Sequence, residues 1–218
     1  MKILYFSGWE LSRILSRFVF RVRVSGRENL PKSGGFILAS NHISYFDPPL
    51  VGCWVPRAIH FFAKKELFDH KLFGAILRRV NALPVRRGTI DRKALEMSIE
   101  TVKRGHGLAV FPEGTRSKTG DLMAPKLGVG VIARQAKCPI VPAYLSGADR
   151  LSECLTGRRK LRVTYGEPLS AEWVTSFPAD KAGYLKIAEA VMARIGQLRD
   201  SMSAGSPSVK PDCKPTQK

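Results

Sequence analysis

Two short polar segments hold the residue types from which acid–base chemistry is built. In the stretch Ser40-Asn-His-Ile-Ser-Tyr-Phe-Asp-Pro48, His42 and Asp47 stand five residues apart across a turn. That spacing lets the carboxylate fold back onto the imidazole, fix its tautomer and stabilise the imidazolium that forms when the ring takes a proton. The same residues also read as an ordinary helix start, with Asp47 as N-cap, Pro48 in the first turn and His42 in the loop before it. In Phe111-Pro-Glu-Gly-Thr-Arg-Ser117, Glu113 and Arg116 flank a Gly114-Thr115 pair that can expose backbone N–H groups. A guanidinium there suits bidentate recognition of a phosphate, although a plain surface turn uses the same residue types. Lys64-Lys65 and Arg86-Arg87 add two more basic pairs.

The elements that must position these residues alternate. Short apolar runs at 35–39, 58–62, 81–85, 107–111, 140–145 and 161–165 read as strands. Helical patterns cover 48–55, 66–79 (with a break expected near Gly74), 89–104, 126–137 and 181–199. This alternation predicts one α/β domain over 24–200, a largely parallel mixed sheet flanked by helices. Four strands would then end in His–Asp, Lys–Lys, Arg–Arg and Glu–Arg, on the edge where open α/β sheets bind ligands. Ahead of the domain, residues 1–23 hold an amphipathic helix over 3–22. Glu10, Arg13, Arg17 and Arg21 share one face, Leu4, Leu11, Ile14, Leu15, Phe18 and Val22 the other, with Tyr5, Trp9 and Phe20 flanking. Such a helix either lies in a bilayer interface or packs on the protein's own core. Residues 201–218, rich in Ser, Pro and Lys, read as a disordered tail.

Composition narrows the partners. Lys plus Arg number 36 against 18 Asp plus Glu, a net charge of +18. A surplus that large points to an anionic partner: nucleic acid, anionic lipid or an acidic carrier protein. A stacking platform for single-stranded nucleic acid interleaves aromatic and basic residues, and that pattern is missing, so no nucleic acid is expected. Cys53, Cys138, Cys154 and Cys213 form no CxxC pair and lie near no histidine at ligand spacing, so they read as free thiols and no metal is predicted. No run of about 20 apolar residues offers a transmembrane helix. Gly128-Val-Gly-Val-Ile-Ala133 fits a loose dinucleotide pattern but lacks the strand that should precede it.

Taken together, the segments resemble the glycerophosphate acyltransferase superfamily, and within it the bacterial 1-acyl-glycerol-3-phosphate acyltransferases. Asn41, His42 and Asp47 match its Asn-His-x4-Asp motif, and 111–117 match Phe-Pro-Glu-Gly-Thr-Arg-Ser residue for residue. Leu83-Pro-Val-Arg-Arg87 and Ile140-Val-Pro142 resemble two further motifs, with Arg86 standing where Asp or Asn is common, so Arg87 is the better match to the family arginine. The resemblance runs from about Val24 to Tyr165. It implies His42 as general base, Asp47 as its orienting partner, and Lys64, Arg87, Glu113, Gly114, Thr115 and Arg116 as substrate-binding residues. It implies transfer of an acyl group from acyl-CoA or acyl carrier protein, without a further cofactor, to the 2-hydroxyl of lysophosphatidic acid. Other acceptors within the superfamily are glycerol-3-phosphate, another lysophospholipid or a lyso-ornithine lipid. A two-tailed product implies an anionic membrane surface as partner and a peripheral or monotopic place on the cytoplasmic face of the cell membrane. The reading from a different class is a non-catalytic basic binding module.

Overall fold

The computed structural model describes residues 2–86 and 91–204, with side chains from Tyr5 to Met202. Helix α1 (Lys2–Ile14) continues into a π-helical turn (Leu15–Val19). Then follow β1 (Arg23–Ser25), β2 (Phe36–Ser40), α2 (Asp47–Gly52), β3 (Ile59–Lys64), α3 (Lys71–Arg79), β4 (Ala82–Val85), α4 (Arg92–Lys103) and β5 (Gly107–Val110). The second half adds α5 (Gly128–Ala136), β6 (Ile140–Ser146), α6 (Leu151–Leu155), β7 (Arg162–Tyr165), α7 (Ala171–Ser176) and α8 (Lys181–Ala204). The seven strands form one sheet in the order β1-β7-β6-β2-β5-β3-β4. Every pairing is parallel except β6 with β7, so the predicted mixed α/β sheet is what the chain forms.

Strand β2 lies at the centre and is buried along its whole length, as a parallel strand covered on both faces requires. Its side chains alternate. Ile37 and Ala39 join a core with Ile99 and Val102 of α4, Val129 and Ile132 of α5, and Ile187, Val191 and Ile195 of α8. Phe36 and Leu38 join the other core with Leu50 and Val51 of α2, Trp54 and Tyr165, against which Trp9 and Phe20 of the N-terminal segment also pack. Packing both faces fixes the height of β2, and with it the loop that carries His42.

Three local expectations change, and one rejected motif finds its explanation. The break in 66–79 falls at Asp69–His70, between a 3-10 turn (Lys65–Phe68) and α3, not at Gly74. Gly74 sits inside α3 because a Cβ there would come within 2.3 Å of the Phe68 carbonyl oxygen. Helix α8 runs on through Ser201 to Ala204, past the predicted start of the tail; 205–218 lie outside the described residues. The glycines of 128–133 serve helix packing: Gly128 opens α5 from a loop, and a Cβ on Gly130 would meet the Tyr184 carbonyl oxygen of α8 at 2.1 Å. In α1 and the π-helical turn, flanking residues face the protein while most of the predicted apolar stripe that is described does not; Val22, beyond the turn, packs on the core. Tyr5 is buried and its hydroxyl accepts from the Ile59 amide (3.0 Å), Ser16 is buried beside Cys53, and Trp9 packs on the core. Leu11, Ile14, Leu15 and Phe18 point outward, and Arg13 turns inward to lie over the rings of Trp9 and Trp54.

Candidate active site

The carboxyl end of β2 delivers Asn41, His42 and the loop to α2. Asn41 is a clip: its Nδ2 donates to the Leu145 carbonyl (2.9 Å) and its Oδ1 accepts from the Leu145 amide (2.8 Å), tying the loop to the end of β6. One residue later the His42 Nδ1 lies 2.7 Å from Asp47 Oδ2. The same oxygen accepts from the amides of Ile43 (2.6 Å) and Ser44 (2.8 Å). Asp47 opens α2 as the sequence suggested, yet its carboxylate is turned back into the loop instead of capping the helix. Asp47 is 0% exposed, so Oδ2 is satisfied by these groups and not by water, while Oδ1 is buried with no hydrogen-bond partner among the described residues.

The pairing dictates a tautomer. A carboxylate accepts, so Nδ1 carries the proton and Nε2 presents a lone pair. His42 is 7% exposed, and its ring lies nearly flat on Phe111, with centroids 4.1 Å apart and planes 18° from parallel. Stacking on one face and a hydrogen bond at one nitrogen leave the ring a single orientation.

The second polar loop, after β5, is bolted to the first. The Ser117 amide donates to the His42 carbonyl (2.8 Å), and the His42 amide donates to Glu113 Oε1 (3.2 Å). Glu113 is 2% exposed. Burial pushes its carboxyl up to about 7, with the nearby Asp47 charge adding to this, against the pull of the His42 and Met123 amides. Glu113 braces the His42 loop and not Arg116, and its Oε2 is buried with no hydrogen-bond partner among the described residues. Gly114 adopts a positive φ of 70°, and a Cβ there would come within 2.7 Å of Lys126 Cδ. Its amide already donates to the Phe111 carbonyl (2.9 Å), so it is not available as an anion donor. Thr115 is exposed beside it. Arg116 is half-buried, with its guanidinium carbon 3.5 Å from the centroid of the Tyr45 ring.

His42, Asp47, Glu113 and Arg116 are thus brought together by two adjacent strands. Lys64 ends β3 on the same edge, exposed, on the far side of β5 from β2. Beyond His60 the carboxyl half of β3 pairs only with β4. Among the described residues Lys64 makes no ion pair with the His42 loop; Arg87 lies outside the described residues. Among the described residues no three His, Cys, Asp or Glu side chains converge as a metal site needs. Residue types alone did not reveal the brace by Glu113, the clip by Asn41 or the stacking of Phe111 and Tyr45.

A fixed imidazole with one free nitrogen, at the carboxyl edge of an α/β sheet, is an arrangement able to draw a proton from a hydroxyl so that its oxygen can attack. Comparison with known proteins supplies the class. The family model described as Acyltransferase matches residues 21–146, which include both polar loops, and the chain belongs to the acyltransferase family. It is 34% identical over 182 residues to the 1-acyl-sn-glycerol-3-phosphate acyltransferase of Bacillus subtilis, covering 83% of this chain and 89% of that one. It is also 34% identical over 144 residues to the lyso-ornithine lipid O-acyltransferase of Pseudomonas aeruginosa, covering 62% of this chain and 52% of that relative. Among solved structures, the 1-acyl-sn-glycerophosphate (LPA) acyltransferase PlsC from Thermotoga maritima superposes with a TM-score of 0.70 at 27% identity, over 89% of this chain and 79% of that one.

Proposed function

We propose that this acyltransferase moves a fatty acyl group from an acyl thioester, of coenzyme A or an acyl carrier protein, to the 2-hydroxyl of 1-acyl-glycerol-3-phosphate, giving phosphatidic acid. The observation that carries the reading is the buried 2.7 Å contact between His42 and Asp47, one loop away from Arg116. His42 Nε2 takes the hydroxyl proton as the oxygen attacks the thioester carbonyl. The tetrahedral oxyanion collapses, the C–S bond breaks, and the imidazolium returns its proton to the departing thiolate. Asp47 stabilises the imidazolium while the proton is in transit. No covalent acyl-enzyme is needed, since the thioester is already activated. With the Gly114 amide engaged, the exposed Thr115 amide is the remaining oxyanion donor of the pair. Arg116, Arg87 and Lys64 hold the phosphate.

Relatives support the acceptor: the Bacillus subtilis enzyme, matched over most of both chains, bears a name that specifies a glycerol-3-phosphate lipid. An apolar cavity of about 240 Å³ between α1, α2 and β3, lined by Tyr5, Trp9, Pro48, Pro49, Cys53 and Phe61, begins one residue beyond Asp47 and suits an alkyl chain. No described helix is long and apolar enough to cross a membrane. Docking is by the outward row of Leu11, Ile14, Leu15 and Phe18 on an anionic bilayer, with the site at the cytoplasmic face.

The test is incubation of the purified chain with lysophosphatidic acid and labelled acyl-CoA or acyl carrier protein, with products resolved by chromatography. Labelled phosphatidic acid is expected, and His42→Ala should cut turnover by about 10²-fold or more with the fold retained. Turnover of that variant at the wild-type rate would end the general-base assignment. Labelled lyso-ornithine product with no phosphatidic acid would replace the acceptor.

A further inference from the structure

Tyr45 is 73% exposed, at the tip of the loop that carries His42 and Asp47. Its ring nonetheless has one close partner, the guanidinium of Arg116, 3.5 Å from the centroid. Arg116 belongs to the other polar loop, whose next residue is fixed by the hydrogen bond from the Ser117 amide to the His42 carbonyl. Among the described residues no carboxylate stands within ion-pair distance of Arg116, and the Tyr45 hydroxyl makes no hydrogen bond. The ring face is therefore what holds the guanidinium.

The two ways of restraining an arginine differ in what they leave open. A carboxylate binds in the plane and uses the N–H groups, so the guanidinium has less to offer an anion. An aromatic face binds the flat side and leaves the five in-plane donors free.

We propose that Tyr45 is a positioning residue for the acceptor: its ring is the platform that presents the N–H edge of Arg116 to the acceptor's phosphate. The inference rests on the function proposed above, in which Arg116 binds that phosphate. Tyr45 itself touches neither reacting atom.

Tyr45→Ala and Tyr45→Leu should each raise the acceptor KM about three- to tenfold, the scale of a partly exposed cation–π contact. Their kcat and thioester KM should stay within about twofold of wild type. Tyr45→Phe and Tyr45→Trp keep a ring face and should keep the KM. In an Arg116→Ala background, Tyr45→Ala should add nothing further. Leucine separates this from a membrane-anchoring role, since it keeps the apolar bulk and removes the π face. A wild-type KM in Tyr45→Leu, an Ala-like KM in Tyr45→Phe, or additive effects in the double variant would each overturn the proposal. Calorimetric binding of a short-chain 1-acyl-glycerol-3-phosphate, below its micelle concentration, reads the same coupling without turnover. Wild-type binding with coupled losses but no acylation would sink the proposed reaction and leave the stack standing. Normal acylation with binding unchanged in the Tyr45 variants would do the reverse.

Discussion

Glu113 is the residue at which the site works against the stability of the fold. An ordinary carboxyl loses its proton near 4.5, whereas burial raises that of Glu113 to about 7. The folded state therefore holds the proton more tightly than the unfolded chain between those values. The stability this group contributes is fully present below about 4.5 and is lost as pH rises through about 7. At roughly 1.4 kcal/mol per pH unit, the loss across the window is about 3 kcal/mol. Glu113→Gln removes the titration yet keeps an oxygen to accept from the His42 amide. Denaturant unfolding of both proteins from pH 4.5 to 8 should show the Gln variant gaining on wild type by about that amount as pH rises. A difference that stays flat across the window would show that Glu113 is not held protonated. A carboxylate beside an arginine in sequence reads as its partner or as a substrate contact. Only burial reveals that this one supports the main chain of the His42 loop.

At the scale of elements, what carried the fold from the sequence was repetition: apolar runs too short for helices, each followed by a polar loop and a helical pattern. The runs at 35–39, 107–111 and 140–145 became β2, β5 and β6, the neighbours that hold the site, because central parallel strands must be apolar on both faces. Strand β1 went unread because it has three residues, none buried, and exists only through its register with Arg162–Thr164. The antiparallel turn of β7 was equally silent, since alternation carries no direction. The same physics explains the dinucleotide-like pattern in α5. Its Gly130 allows the close crossing of α5 over α8, where a methyl group would strike the Tyr184 carbonyl oxygen at 2.1 Å. Gly130→Ala must push the helices apart and should cost about 1–3 kcal/mol of stability, the usual range for overpacking. Activity per folded molecule should hold, because neither helix carries a residue of the site. A variant as stable as wild type in thermal and denaturant unfolding would remove the packing explanation and reopen the question of what the glycine is for.

At the scale of the whole molecule, the proposed docking to a bilayer rests on apolar residues of the N-terminal segment that the core leaves exposed. The N-terminal helix packs inward through Tyr5, Trp9 and Ser16, so its outward apolar residues are not needed by the core. Phe18 is 71% exposed in the π-helical turn, with Arg17 and Arg21 exposed on either side of it. The packing reading of the segment therefore holds on its inner face, and the outward face is left for the proposed bilayer contact. Burying a leucine or phenylalanine in hydrocarbon stabilises by about 1.5–3 kcal/mol, and each arginine near an anionic surface by about 1 kcal/mol. Leu11→Glu with Phe18→Glu should therefore lower binding to phosphatidylglycerol-containing vesicles by at least about tenfold, with unfolding unchanged, since neither side chain supports the core. Arg17→Glu with Arg21→Glu should weaken binding to those vesicles but not the residual binding to neutral ones, and the wild-type difference between the two should shrink as salt shortens the reach of the charges. Activity on a dispersed short-chain acceptor should survive all four substitutions, separating docking from chemistry. Vesicle binding indifferent to Leu11 and Phe18 would mean that the molecule meets its lipid through another face, and that the outward stripe of α1 answers to something other than a bilayer.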